Sequence, residues 1–166
     1  MKQSVSYYID KLKLRPHPEG GYFAETYRSD ELIDANALPE KFGGNRNFST
    51  AIYFLLEGHQ FSAFHRIQSD ELWHFYDGIP LLVYIIHPNG ELETLKIGND
   101  LEGGCKFQGI VKAGCWFASC PINKEGFSLV GCTVAPGFDF NDFELANEAL
   151  IKQFPQHGEL IKKLLH

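Results

Sequence analysis

The sequence predicts an all-β protein, a sandwich or barrel, with a short helix at its N-terminal end and helices at its C-terminal end. From Gly21 to Val134, short apolar runs alternate with turn residues at a spacing of roughly 8 to 12 residues, which is typical of such folds. Within this region, Asn89-Gly90 separates two apolar runs and predicts a hairpin with a type I′ turn. Helical periodicity is confined to the two ends of the chain.

The N-terminal helix is predicted over residues 5–14, because four apolar side chains share one face at helical spacing: Val5, Tyr8, Ile9 and Leu12. The segment RPHPEGG, residues 15–21, ends this helix, since proline and glycine both break helices. The C-terminal tail, residues 142–166, has a helical pattern again and is interrupted at Pro155. The polar, glycine-rich stretch 34–47 is expected to form a surface loop.

No repeat or linker divides the chain, so we expect one domain over residues 1–166, with its barrel at about 14–146. The composition, 44% hydrophobic and 22% charged, is that of a soluble globular protein. The net charge of −6 and the lack of a Lys/Arg cluster argue against nucleic acid and anionic membranes as partners. The sequence shows neither a signal peptide nor an apolar run of about 20 residues. Because the 4 cysteines also form no CxxC pair, we expect reduced thiols and a cytoplasmic location.

The stretch FSAFHRIQSDELWHFYDG, residues 61–78, carries the side chains best suited to chemistry. Alternate side chains of a strand point to opposite faces. On the second strand of this stretch, one face therefore carries Glu71, Trp73 and Phe75. The intervening QSDE is short enough to be a turn that joins two antiparallel strands, so His65 and Glu71 are expected to lie near each other on the inner face. Such a pair is either half of a metal site or an acid–base pair.

This stretch resembles the first signature of the cupin superfamily, which runs glycine, five residues, His-x-His, three or four residues, glutamate, six residues, glycine. His65 matches the first histidine, and Glu71 and Gly78 have the spacing that the signature requires. Gly58 lies one residue from the position of the first glycine, and Ile67 replaces the second histidine.

The segment KAGCWFASCP resembles the second cupin signature, which runs glycine, five residues, Pro-x-Gly, two residues, histidine, three residues, asparagine. Gly114 matches the glycine of the Pro-x-Gly element. The proline, histidine and asparagine are replaced, in that order, by Lys112, Phe117 and Pro121.

The resemblance therefore leaves ligands at two of the four usual metal positions, His65 and Glu71, and apolar side chains at the other two, Ile67 and Phe117. Catalytic zinc and iron sites generally use three protein ligands, so we expect no cofactor. A divalent metal, if bound, would be held by His65 and Glu71, with water or a further ligand such as His59.

Longer segments resemble one branch of the cupins, small single-domain bacterial and fungal proteins: RPHPEGGYFAETYRS, STAIYFLL, FHRIQSDELWHFYDG, AGCWFAS and SLVGCTVAPGFDFNDFELA. The resemblance implies a double-stranded β-helix, the jelly-roll barrel of cupins, with short N- and C-terminal helices, and a homodimer. It implies no established reaction. The branch is likened to the dTDP-sugar 3,5-epimerases, metal-free cupins that use a His–Asp pair and a tyrosine.

The candidate catalytic residues are His65, Glu71, Tyr84 and Asp139. His65 and Glu71 form an acid–base pair in a pocket or, alternatively, a hydrogen-bonded pair in the core. Tyr84 is a candidate acid if its side of the strand faces inward, which its own segment leaves open. Asp139 is a candidate partner for the histidine, and the alternative makes Asp139 or Asp142 a helix cap.

The candidate ligand-binding residues are three aromatic side chains and one acid: Trp73, Phe75, Phe117 and Glu25. The aromatic side chains are core residues by default, and some are expected to stack on a ring of the ligand. Arg28 is a site candidate together with Glu25, and both lie in an N-terminal strand that alternatively pairs across a dimer. Arg66 and His74 are expected outside the site, in a surface ion pair and on the outer face of the barrel.

The favoured function is that of a cytoplasmic protein that binds a small polar or ring-bearing metabolite and acts as a metal-independent isomerase or epimerase on a sugar or nucleotide sugar. In that mechanism His65 removes a proton next to a carbonyl, Glu71 orients it, and a tyrosine or aspartate supplies the acid. Two alternatives stay open: a ligand-binding protein without catalysis, and a metal-dependent oxygenase or isomerase with an incomplete ligand set.

Overall fold

The computed structural model describes residues 3–166 and contains thirteen strands, three α-helices and three single turns of 3-10 helix. The strands, in chain order, are β1 (Arg15–Pro16), β2 (Tyr22–Arg28), β3 (Leu32–Ile33), β4 (Arg46–Asn47), β5 (Thr50–Glu57), β6 (Ser62–Arg66), β7 (Asp70–Gly78), β8 (Leu81–Ile86), β9 (Leu92–Ile97), β10 (Gln108–Val111), β11 (Trp116–Pro121), β12 (Phe127–Ala135) and β13 (Glu144–Leu145). The helices are α1 (Val5–Lys11), α2 (Ala149–Gln153) and α3 (Gly158–Lys163), and the 3-10 turns are Ala35–Ala37, Phe140–Asp142 and Pro155–His157.

Two antiparallel sheets form the body of the domain. One has the order β1-β2-β5-β12-β7-β10 and the other the order β13-β6-β11-β8-β9, with β3 and β4 as a separate ribbon. From β5 to β13, successive strands alternate between the two sheets except at the β8–β9 hairpin. This alternation is the double-stranded β-helix that the sequence predicts, with short helices at both ends of the chain.

The connection between β6 and β7 differs from its prediction. The two strands lie in different sheets, so the expectation that QSDE joins antiparallel neighbours is wrong. Three residues separate the strands, and at roughly 3.3–3.6 Å each they span the roughly 10 Å between packed sheets. His65 and Glu71 therefore enter the interior from opposite sheets.

Three apolar clusters hold these layers together. The main core lies between the sheets, and its largest buried side chains include Trp73, Phe54 and Phe117. The predicted helix face of Val5, Tyr8, Ile9 and Leu12 packs on the outer side of the six-stranded sheet. Helices α2 and α3 cover the five-stranded sheet. None of the helices within residues 3–166 has the length and apolar character needed to span a membrane.

The hairpin between β8 and β9 is confirmed, but its turn type is not the predicted one. Strand pairing continues to Ile86 opposite Leu92, and the loop closes through a 2.9 Å hydrogen bond from the His87 amide to the Glu91 carbonyl. Only Gly90 has a positive φ, of 86°. A type I′ turn needs two such residues, so this is a three-residue loop with glycine at its left-handed position.

The predicted surface loop at 34–47 contains a buried charged side chain, Arg46, in addition to the buried Phe42. Arg46 is 4% exposed and donates from Nε and Nη2 to the two carboxylate oxygens of Asp142, at 2.7 and 2.6 Å. Asp142 ends the 3-10 turn Phe140–Asp142, so this ion pair fixes the segment that follows β12. Two residues later, Glu144 makes an exposed 2.7 Å ion pair with Arg66.

We expect Asp142→Ala to lower the free energy of unfolding by about 3–5 kcal/mol, because it leaves the buried Arg46 charge unpaired. Glu144→Ala, which breaks an ion pair exposed to water, is the matched control and should cost no more than about 1 kcal/mol. Urea denaturation of both variants measures the difference. Equal and small losses would contradict a structural role for the Arg46–Asp142 pair.

Candidate active site

A cavity of about 100 Å³ lies between the two sheets. Its apolar wall includes four aromatic side chains: Phe23, Phe138, Phe140 and Phe143. Its ionisable lining consists of Arg15, His17, Glu19, Glu25, Arg28, His65, Glu71 and Cys132. The sequence named four of these ionisable groups as site candidates, His65, Glu71, Glu25 and Arg28, and the structure brings all four to this cavity.

His65, near the C-terminal end of β6, pairs with Glu19. The imidazole Nε2 lies 3.0 Å from a Glu19 carboxylate oxygen, and Nδ1 donates to the Ala63 carbonyl at 2.7 Å. Burial alone lowers the pKa of His65, but the charge of Glu19 and its hydrogen bond raise it more, so the net shift is upward. Burial likewise raises the pKa of Glu19, and the charge and hydrogen bond of His65 reverse the shift to a net lowering. Both shifts favour a charged pair.

Local geometry holds the Glu19 carboxylate at this place. Gly20 and Gly21 follow it with φ of 113° and 74°, a conformation that glycine tolerates best. A Cβ on Gly20 would lie 2.1 Å from the Phe61 carbonyl oxygen, so the turn packs directly on the neighbouring strand. The carbonyl of Glu19 accepts hydrogen bonds from the Ala63 amide at 2.9 Å and from His166 Nε2 at 2.8 Å.

Glu19 is a site residue that the sequence reasoning missed, as it also missed His17 and Arg15. The prediction paired His65 with Glu71, whereas the hydrogen-bonded partner of His65 is Glu19. The available signal was the sequence Glu-Gly-Gly after His17, a carboxylate next to a turn that only glycine forms easily. From the sequence, the segment 15–21 is predicted only as the end of the N-terminal helix, and Glu19 has no predicted role.

Glu71 enters the cavity from β7 and is 8% exposed. Burial raises the pKa of its carboxyl to about 7, the charge of Glu19 adds to the rise, and the charge of His65 and the Cys132 thiol oppose it. The Glu19–His65 pair is already neutral overall, so Glu71 gains little from ionising in this environment. At neutral pH the Glu71 carboxyl is therefore poised between its two protonation states.

His17 completes the cluster as a neutral group. Its Nδ1 accepts a hydrogen bond from the Glu19 amide at 3.2 Å, so the 3.7 Å approach of Nδ1 to the Glu19 carboxylate is not a hydrogen bond from the ring. Burial lowers the pKa of His17, the nearby charge of His65 lowers it further, and Glu19 opposes both. Two histidines thus flank one carboxylate, one held charged and the other neutral.

The predicted aromatic residues form the support of the site more than its lining. Phe117 packs against the His65 ring with centroids 4.1 Å apart, and Phe143 lies on the ring at 5.3 Å. Trp73 contacts Phe117 edge-on, deeper in the core. Phe75 is partly buried against the same core and does not line this cavity. Of these four aromatic side chains, only Phe143, which the sequence did not predict, lines the cavity and is placed to contact a ligand.

Two predicted acids lie away from the cavity. Tyr84 projects from the outer face of β8 onto the C-terminal helices, because its neighbours Val83 and Ile85 point into the core. Asp139 caps the 3-10 turn Phe140–Asp142 by accepting from the Asn141 amide at 2.8 Å, the capping role named as its alternative. The structure therefore assigns neither residue to proton transfer at this site.

The remaining polar predictions are located as follows. The Glu25 carboxylate accepts two hydrogen bonds from Arg28, at 3.0 and 2.7 Å, on the rim of the cavity. His74 points away from the interior and pairs with Thr133 at 3.1 Å, as expected for an outward position. Arg66 makes the expected surface ion pair, with Glu144.

The donor set does not fit a transition metal. Among residues 3–166, no group of three or more His, Cys, Asp or Glu side chains is arranged to hold a metal ion. The Nε2 atom of His65 is engaged by Glu19, and the cavity wall has the apolar Ile67 where a second histidine would lie. His59 is exposed outside the cavity and supplies no additional ligand there.

Solved structures with similar folds fall into a near and a distant group. Protein SO0799 from Shewanella oneidensis is 41% identical, with a TM-score of 0.89 and 99% of both chains covered. A hypothetical protein from Leishmania major is 34% identical, with the same TM-score and coverage. Oxalate decarboxylase from Bacillus subtilis is 16% identical with a TM-score of 0.56, over 91% of this chain and 37% of that chain, a likeness of fold alone.

Sequence comparison assigns the chain to a family. The uncharacterized protein YML079W of Saccharomyces cerevisiae is 32% identical over 148 residues, which cover 84% of this chain and 73% of that protein. The family model described as Cupin superfamily (DUF985) matches residues 6–146, which is most of the chain and all of the barrel that lines the site. The chain therefore belongs to the DUF985 family of the cupin superfamily.

Proposed function

We propose that this cupin is a metal-independent enzyme that moves a proton at a carbon next to a carbonyl group in a small polar metabolite, as a sugar isomerase or epimerase does. The observation that carries the proposal is the placement of a buried carboxyl, Glu71, beside the buried Glu19–His65 ion pair in one cavity. Burying three ionisable groups together opposes folding, and such clusters are concentrated at functional sites.

Glu71 is the proton-transfer group in this proposal. As a carboxylate it takes the proton from the substrate carbon, and the electron pair of the C–H bond moves to the carbonyl oxygen as an enolate. The protonated Glu71 then returns the proton to the same or the neighbouring carbon. A pKa near the working pH suits both steps, because each protonation state is well populated.

His65 acts through its charge. Both of its ring nitrogens are hydrogen-bonded, to Glu19 and to Ala63, so it has no free nitrogen with which to remove a proton. The role of base that the sequence reasoning gave to His65 therefore passes to Glu71. The imidazolium instead offers positive charge where the enolate develops, in a cavity sheltered from water. Neutral His17 is the group that can exchange a proton with the substrate oxygen.

The size of the cavity supports a small substrate. Its volume of about 100 Å³ is below the roughly 300–1,000 Å³ of pockets for drug-sized ligands. Such a space accepts a sugar-sized or smaller part of a substrate, and the nucleotide of a nucleotide sugar would lie outside it.

The homodimer and the cytoplasmic location stay predictions.

A ligand-binding protein without catalysis is the second candidate. The observation that favours it is the complete hydrogen bonding of the His65 ring, which makes the pair resemble a structural one. A metal-dependent oxygenase has no comparable support, because the donor set around His65 does not fit a metal.

We expect the parent protein in deuterated water to incorporate deuterium into at least one member of a panel of aldoses, ketoses and 2-keto acids. Glu71→Gln should slow this exchange by about 10²–10⁴-fold, the usual contribution of a general acid–base group. Mass spectrometry of the recovered compounds measures the exchange, and Glu144→Gln on the surface is the control. Binding without exchange in the parent would favour the second candidate, and exchange that survives in Glu71→Gln would exclude Glu71 as the base.

The raised pKa of Glu71 also predicts a pH-dependent stability. Between pH 4.5 and about 7 the unfolded carboxyl loses its proton and the folded one keeps it, so this group's contribution to stability falls as pH rises through that window. Glu71→Gln removes the free-energy cost of ionising this carboxyl in the folded protein. We expect its advantage over the parent in unfolding free energy to grow by about 2–3 kcal/mol between pH 5 and pH 8, measured by urea denaturation. An advantage that does not change with pH would contradict a raised pKa.

A further inference from the structure

The cavity is lined by three cationic side chains, and two of them are already neutralised. His65 pairs with Glu19, as described above. Arg28 donates twice to the Glu25 carboxylate and donates from Nη1 to Asn47 Oδ1 at 2.8 Å and to the Phe138 carbonyl at 3.1 Å. The guanidinium of Arg28 is therefore occupied in holding the rim of the cavity.

Arg15 is the third cation and has a different environment. Within residues 3–166, its guanidinium takes part in none of the side-chain hydrogen bonds or ion pairs. It lies over the face of Phe23, with Cζ 5.0 Å from the ring centroid. Strand β1 places Arg15 directly opposite Phe23 of β2, so backbone pairing and the ring together keep the charge at the edge of the cavity.

We propose that Arg15 binds an anionic group of the ligand, a carboxylate or a phosphate, so that the substrates of this site are small anionic metabolites such as sugar acids, sugar phosphates or keto acids. The inference names the substrate class of the proposed function and rests on it for the reaction. The binding step itself rests only on the cavity and on Arg15.

The charge balance of the lining supports an anion. Glu19 offsets His65 and Glu25 offsets Arg28, so within residues 3–166 Arg15 is the lining cation that has no carboxylate at ion-pair distance. A guanidinium presents two parallel N–H groups that match the oxygens of a carboxylate or phosphate. Because Arg15 is exposed, a neutral sugar would leave its guanidinium paired only with water.

Two aromatic side chains strengthen the expected contact. Phe140 is 56% exposed and belongs with Phe23 to the lining of the cavity. Rings at the edge of the cavity reduce the access of water to a bound anion, and the attraction between opposite charges grows as water is excluded. The ligand therefore places its anionic group at Arg15 and its reacting carbon near Glu71.

Titration of the isotope-labelled full chain with three probes tests the proposal without any assay of catalysis. The probes are inorganic phosphate, benzoate and benzamide, the last being a neutral molecule of nearly the same shape as benzoate. The readout is the NMR signal of the Arg15 Nε–H group together with the amide signals of the cavity strands. The variants are Arg15→Gln, Arg15→Lys, and Lys96→Gln as a control cation on the exposed side of β9.

We expect at least one of the two anions to shift the Arg15 signal, with benzamide causing no such shift. Arg15→Gln should weaken anion binding by about 10-fold or more, the usual effect of losing a charged hydrogen bond, while Arg15→Lys retains part of it and Lys96→Gln leaves it unchanged. Binding of benzoate alone assigns a carboxylate ligand, and binding of phosphate alone assigns a phosphate ligand.

The proposal is overturned if neither anion perturbs the cavity, if benzamide binds as well as benzoate, or if Arg15→Gln binds anions as the parent does. These outcomes are separate from failure of the proposed reaction. Anion binding at Arg15 in a protein that exchanges no deuterium would retain the ligand class and remove the catalysis.

Discussion

The ion pair between Glu19 and His65 is the interaction on which the rest of the site depends. It joins the turn that precedes β2 to the strand β6, and it is buried from both sides, by the main core and by Phe143. Two buried charges are tolerable only because each is hydrogen-bonded to the other and because His65 has a second acceptor in the Ala63 carbonyl. Removing either partner would leave an uncompensated charge beneath the cavity.

Burial and this pair together set the protonation of Glu71. A carboxyl with an unpaired cation beside it would ionise easily, but the cation here is neutralised by Glu19, and burial then dominates. In the signature described above, the histidine and the glutamate both belong to the usual metal-ligand positions. In this chain a second carboxylate, Glu19, lies next to the histidine, and proton transfer is the chemistry that we propose for the site.

Ion pairs also stabilise the rim of the cavity, where they hold backbone segments in place. Arg46–Asp142 is buried and fixes the 3-10 turn after β12, and Arg28–Glu25 fixes the Phe138 carbonyl. Together they hold the phenylalanine-rich segment that closes one side of the site. Two ion pairs that do not themselves react therefore shape the cavity. Arg15 lies at its edge and, within residues 3–166, takes part in no ion pair.

The sequence was sufficient for the fold and for half of the site. Alternation along β6 and β7 placed His65 and Glu71 in the interior, because period-two patterns survive in any sheet. It was insufficient for Glu19, since the contact joins segments distant in the chain and depends on how the turn packs on β6. It was also insufficient for Tyr84, because alternation gives two faces and only the packing of α2 and α3 decides which one is outer. For Asp139 the sequence allowed two roles, and the structure has the capping one, in which the carboxylate accepts from the Asn141 amide two residues along the chain.

The most direct test of this account is a carbon-13 NMR titration of the glutamate side-chain carboxyl groups, with Glu71→Gln and Glu19→Gln used to assign the two buried signals. The account predicts that the Glu71 carboxyl titrates near pH 7 while the Glu19 carboxyl stays ionised to below its usual range. It also predicts that the Glu71 midpoint shifts when Glu19 loses its charge, because that charge acts on Glu71 directly and also keeps His65 charged. Titration of Glu71 near 4.5, with no response to Glu19→Gln, would contradict the claim that the Glu19–His65 pair sets the chemistry of the site.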